Sequence, residues 1–230
     1  MTSAWHIAQA KSGHFGVIVK LIDEARGWLP AKGTNQWWNP YPTEEDRNER
    51  IKRALELGAT WIVWARNRAV ATVTTASSPN LKVWSEAECD VTEPAVYAHR
   101  LIVARDFAGH GLGAELIDWV GLRGRHDYKA MWIRIDVWST NQGLQDYYTN
   151  KGFKPCGRCP DPDYPSGALL QKALRGMKPP PRPLFVEGKP GANPVPRPES
   201  GTAAGPARNP ATTDGLTFPV VVKPPALSVS

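Results

Sequence analysis

The sequence predicts an α/β fold: a mixed, mostly antiparallel sheet with helices packed on both faces. Three observations carry that expectation. Segments of helical and strand periodicity alternate along residues 15–171. The first two strands are joined by a connection short enough for a hairpin. Beyond them the order becomes strand, helix, strand, helix, strand, which layers helices against a sheet with a parallel part.

Taken in order, Phe15, Ile18, Val19, Ile22, Ala25 and Leu29 repeat with the period of an amphipathic helix. Residues 33–42 read as a loop carrying Trp37 and Trp38. Thr43-Glu44-Glu45-Asp46 is a helix start, an N-cap hydroxyl followed by first-turn acids, and Gly58 ends that helix. Residues 60–65 and 69–75 are strands joined at Asn67-Arg68. Residues 96–103 form a third strand and 111–123 a helix. Residues 131–137 alternate, with Met131, Ile133, Ile135 and Val137 on one side. Residues 141–150 read as a helix, and 152–155 and 167–171 as closing strands.

Composition bounds the rest. Thirteen of the 22 prolines fall in the last 55 residues, among Gly, Ala, Thr and Ser. Such a chain cannot offset its ordering entropy by burial. The expected organisation is a domain over residues 1–175 and a disordered tail over 176–230, with one apolar patch at 216–222 that suits a docking strand. Residues 175–230 also carry +4 of the net +6, so the rest of the chain is close to neutral and nucleic acid is not the expected partner. No signal peptide or run of about 18 apolar residues is visible, so no membrane contact and a cytoplasmic location are expected. Cys89, Cys156 and Cys159 are too few for a disulfide scaffold. Cys156-Gly157-Arg158-Cys159 has metal or redox spacing but lacks further ligands and a following helix, so ordinary thiols and no metal are expected. Arg100, Arg134 and Asp136 read as strand charges on a polar or half-covered face.

The segment with the most chemistry runs from Leu101 to Ala114. An apolar strand enters a turn with Gly109, Gly111 and Gly113 at alternate positions, and a helix follows at once. Glycines let backbone amides approach an anion, and a helix N-terminus offers unpaired N–H groups and a positive dipole end. A pyrophosphate fits both. The spacing also meets the loose dinucleotide fingerprint, but here other strands precede the loop, whereas that motif heads a βαβ unit.

A second pattern follows the alternating strand: Asn141, Tyr148, Gly152 and Phe153. With both motifs in this order, residues 96–155 resemble the GNAT superfamily of acyl-CoA-dependent N-acyltransferases. The family's coenzyme loop, Gln/Arg-x-x-Gly-x-Gly/Ala, falls on Ala108-Gly109-His110-Gly111-Leu112-Gly113. Ala108 departs from it, removing one side-chain anchor while the backbone donors remain. The resemblance implies acetyl-CoA as acyl donor. Leu101, Ile102 and Val103 would then pair with the pantetheine arm, residues 108–114 would bind the pyrophosphate, and Asn141 would bond the arm. Tyr148 would supply the proton to the departing thiolate. His99, two residues before Leu101 and with a reference pKa near 6.5, is the candidate base, with Glu86 and Glu88 behind it. Tyr147 is expected to be structural. Trp37 and Trp38 would either stack on the acceptor or cap the core. The implied acceptor is a small-molecule amine. A protein or aminoacyl-tRNA acceptor and a non-catalytic coenzyme-binding module are the alternatives, and a homodimer is the expected assembly.

Overall fold

The computed structural model describes residues 5–38 and 42–188. Its strands are β1 (Trp5–Gln9), β2 (Thr60–Ala65), β3 (Arg68–Ala76), β4 (Ala95–Val103), β5 (Trp132–Val137), β6 (Lys154–Arg158), β7 (Ala168–Ala173) and β8 (Phe185–Glu187). They form one sheet in the order β6-β7-β5-β4-β3-β2-β1-β8. Only β4–β5 and β1–β8 are parallel pairs. The helices are α1 (Phe15–Trp28), α2 (Glu44–Glu56), the single turn α3 (Leu81–Trp84), α4 (Leu112–Tyr128) and α5 (Gln142–Asn150).

Each helix sits where its apolar stripe finds the sheet. Ile18, Leu21 and Ile22 of α1 and Ile51 and Leu55 of α2 pack with Ile62, Trp64 and Ile102 on one face. Leu112, Leu116, Ile117 and Val120 of α4 and Tyr148 of α5 pack with Val63, Ala71, Val96, Ile133 and Ile135 on the other. A third cluster gathers Val83 and Trp84 of α3 with Tyr97, Cys156 and Leu169. Thr43 caps α2 as expected, its Oγ1 accepting the Asp46 N–H at 3.2 Å.

Helix α4 continues five residues beyond the expected end. A Cβ on Gly124 would lie 2.5 Å from Val96 Cβ, so the bare glycine lets the helix approach β4 closely. Gly124→Ala should therefore destabilise by about 1–3 kcal/mol through overpacking, despite alanine's better helix propensity. A lowered denaturant midpoint is the expected reading; an unchanged midpoint would show that α4 can move off the sheet.

Four expectations change. Residues 176–188 do not behave as the expected tail: Phe185–Glu187 pairs with β1 and Phe185 is buried. Residues 189–230, including the patch at 216–222, lie outside the described residues. Cys156 is no ordinary thiol but is joined to Cys89, while Cys159 is free and buried. Met131 precedes its strand and is 52 % exposed, whereas Ile133, Ile135 and Val137 are buried as expected. Arg134 is fully buried, not on a polar or half-covered face: it donates to Tyr97 Oη at 2.8 Å and to the Asp90 carbonyl at 2.6 Å.

Among the described residues no helix is long and apolar enough to cross a membrane.

Candidate active site

The site begins with a defect in the sheet. β4 pairs with β5 from Ala95 opposite Trp132 to Ala98 opposite Ile135, and no further. On its other edge, the register with β3 shifts between Thr72–Ile102 and Thr74–His99. Two residues of β4, Arg100 and Leu101, thus stand against the single residue Val73. Such a bulge bends a strand and increases its twist. Arg100 absorbs it with φ at +49°, a left-handed conformation that costs a non-glycine residue of order 1 kcal/mol. Past the bulge β4 turns away from β5, and the β5-facing backbone edge of residues 99–103 has no strand beside it.

Beyond Val103 the chain makes a short 3₁₀ turn, Arg105–Phe107, and enters the glycine loop. Gly109 and Gly111 both have φ at +83°, where an L side chain would be strained. Gly111 is the N-cap of α4, and the first intrahelical bond runs from the Glu115 N–H to the Gly111 carbonyl at 3.0 Å. The Leu112, Gly113 and Ala114 amides therefore lie ahead of the helical ladder, at its positive end. His110 is exposed and Leu112 buried. A Cβ on Gly113 would lie 3.5 Å from Val103 Cγ2, 3.8 Å from Leu101 Cδ2 and 4.0 Å from Tyr147 Oη. The loop thus abuts the end of β4. These features fit a phosphate-bearing coenzyme lying along β4 with its anionic end on the loop. Ile102 is different: its side chain is buried with α1, so only its backbone can take part.

Where β4 and β5 separate, a cleft of about 1050 Å³ opens. His99, Leu101 and Tyr148 line it, as does Trp37. His99 Nδ1 lies 2.8 Å from Asp136 Oδ1. The other carboxylate oxygen of Asp136 accepts the Tyr164 hydroxyl at 2.8 Å. Burial pushes the Asp136 carboxyl up, but the His99 charge and the hydrogen bonds from His99 and Tyr164 outweigh it, and the group ends below the ordinary carboxylate range. Asp136 therefore stays ionised and fixes the imidazole with Nε2 on the far side of the ring. Tyr148 is 7 % exposed, and burial, with Tyr147 beside it, pushes its phenol well above 10. It is neutral at any physiological pH.

Several expected residues stand elsewhere. Asn141 is the N-cap of α5 and not its first turn; Oδ1 accepts the Leu144 N–H at 3.0 Å and Nδ2 donates to Gln36 Oε1 at 3.0 Å. Trp138 Nε1 donates to Asn35 Oδ1 at 2.9 Å. Together the two bonds tie the loop carrying Trp37 across to the start of α5. Trp38 points away, 49 % exposed, with Nε1 on the Arg26 carbonyl. Glu86 and Glu88 are exposed and do not line the cleft. Asp136, expected as a strand charge on a polar or half-covered face, is instead the buried partner of His99. The parallel register supplies the missing signal: Ala98 opposite Ile135 makes the next residues neighbours. Tyr164 carried no such signal, because a loop brings it in.

A splayed sheet thus sets an open strand edge beside a glycine loop at a helix N-terminus, an arrangement suited to an extended anionic ligand. The chain matches the Acetyltransferase (GNAT) family over residues 21–153 and belongs to it. It is an N-acetyltransferase of that family. Over 143 residues it is 28% identical to the uncharacterized N-acetyltransferase YesJ of Bacillus subtilis (strain 168), covering 61% of this chain and 76% of that one. Among solved structures, a GNAT-family acetyltransferase of Listeria monocytogenes 4b F2365 superposes with a TM-score of 0.58 at 22% identity, covering 74% of this chain and 94% of that one. The PaiA N-acetyltransferase of Thermoplasma acidophilum, in complex with coenzyme A, gives 0.55 at 12% identity, covering 75% and 99%.

Proposed function

We propose that this chain moves the acetyl group of acetyl-CoA to the primary amine of a small molecule, by direct attack of the amine on the thioester. One observation carries the reading: the His99–Asp136 pair and Tyr148 line one cleft, at the point where β4 parts from β5. Acetyl-CoA supplies the activated acyl group. The glycine loop and the α4 amides hold its phosphates, and the open edge of residues 99–103 holds the arm and offers N–H groups to the thioester carbonyl. The Thermoplasma relative shares the fold and was solved in complex with coenzyme A, which supports a coenzyme donor.

A primary amine is mostly protonated at neutral pH and must lose a proton before it attacks. His99 takes that proton, directly or through one water, with Asp136 stabilising the imidazolium that results. Asp136 is thus a positioning residue. Tyr148 faces the departing sulfur as a neutral phenol. Its raised pKa favours donating a hydrogen bond to the developing thiolate over giving up the proton outright, and the thiolate is neutralised by the second proton, which the nitrogen loses as the amide forms.

The strap of residues 34–38 favours a small acceptor over a folded protein. Trp37 lines the cleft, and the Asn35–Trp138 and Gln36–Asn141 bonds hold it there. Coenzyme release from acetyl-CoA, followed across a panel of small amines, peptides and aminoacyl-tRNA, tests the reading. Turnover with small amines is expected; turnover with macromolecules alone would overturn it.

A further inference from the structure

The cleft has a charged wall that the chemistry above does not use. Arg47 and Arg50 of α2 and Arg100 of β4 all line it. The two α2 residues are spaced i, i+3 and so share a helix face. Arg47 is 6 % exposed; its Nη2 donates to Glu44 Oε1 at 2.6 Å and to Asn48 Oδ1 at 3.0 Å. Its Nη1 is buried and has no hydrogen-bond partner. An unsatisfied buried guanidinium nitrogen costs stability unless a ligand meets it. Arg100 is brought to the cleft by the bulge, at the strained φ described above. Burial and the nearby Arg50 charge push its guanidinium down to about 10, against the pull of Tyr164 and Asp136. Arg50 and Arg100 add their positive charge to the same wall as the unsatisfied Arg47 nitrogen. That wall is separate from the coenzyme loop, since none of residues 104–114 lines the cleft.

We infer that the acceptor amine carries a carboxylate, and that Arg100 with Arg50 and Arg47 holds this group while His99 meets the amine. This rests on the acetyltransferase reading and narrows its substrate to amino-acid-like molecules. A planar guanidinium fork matches a carboxylate bidentately. A monoanion also fits the balance of the wall, where six basic and five acidic side chains line the cleft. His99 and Arg100 are chain neighbours that both face the cleft. That adjacency suits a carboxylate and an amine one or two carbons apart.

The test is equilibrium binding to the coenzyme A-saturated protein, by calorimetry, of N-acetyl amino acids and their matching carboxamides. Paired acetyl-transfer rates on the free amino acids and amino-acid amides accompany it. For the best-bound pair, the acid should bind at least about tenfold tighter than the amide, the worth of one charge-assisted hydrogen bond. Arg100→Gln should bring the ratio to within about twofold. Arg50→Gln, on a helix surface, is the second variant should the first fail to fold, and should cut the ratio in the same direction. Equal binding of acids and amides, or no binding by any pair, would overturn the inference. A carboxylate preference without acetyl transfer would overturn the small-amine transfer reading, and with it the acceptor role inferred here, while leaving the anion-binding site itself standing. Transfer to amides as fast as to acids would overturn that acceptor role and leave the transfer reading standing.

Discussion

His99→Ala is expected to lower kcat by about 10²–10⁴-fold, the usual worth of a positioned general base. The imidazole is held by Asp136 at 2.8 Å, and Asp136 is itself held by Tyr164. Removing the ring leaves the glycine loop and the β4 edge intact, so acetyl-CoA should stabilise the variant as it does the wild type. Asp136→Asn should lower kcat by a smaller factor, because the base remains but loses its orientation and the charge that stabilises its protonated form. Steady-state rates at saturating acetyl-CoA, beside coenzyme binding, check both. Weakened coenzyme binding with an unchanged kcat would show that the pair serves the fold rather than the proton.

The second large effect is expected at the loop. Gly111→Val should weaken acetyl-CoA binding by about 10–100-fold, the cost of losing one or two charge-assisted hydrogen bonds from the backbone to phosphate. Gly111 caps α4 at φ +83°, so any side chain there strains the turn that aims the amides. Gly113→Ala is the control. Its φ is ordinary and its Cβ would make only van der Waals contact with Val103 and Leu101, so fold and coenzyme affinity should both persist. Calorimetric titration of the two variants distinguishes them. Equal affinities would mean that the loop does not hold the phosphates.

Most of the sheet and all the long helices were legible because their signals are local. Periodicity marks α1, the Thr43 cap marks the start of α2, and alternation marks β5. The strands that escaped notice depend on distant partners. Trp5–Gln9 is five residues whose pairing lies near residue 60 on one side and residue 185 on the other. Phe185–Glu187 sits in a proline-rich segment whose composition argues for disorder, and tertiary contacts with β1 and α4 hold it. The candidate site divides the same way. His99, Tyr148 and the glycine loop stand in contiguous patterns, whereas Asp136, Tyr164 and Arg50 reach His99 and Arg100 only through tertiary register. The disulfide between Cys89 and Cys156 bridges 67 residues, and no spacing rule announces it.

The most direct measurement is the melting temperature of the purified chain with and without acetyl-CoA, beside an NADH control. At 100 times its dissociation constant, a ligand of the folded state stabilises it by about 2.7 kcal/mol. A clear upward shift with acetyl-CoA alone is the predicted result. No shift with acetyl-CoA, or a shift with NADH instead, would contradict the coenzyme site on which the whole account stands.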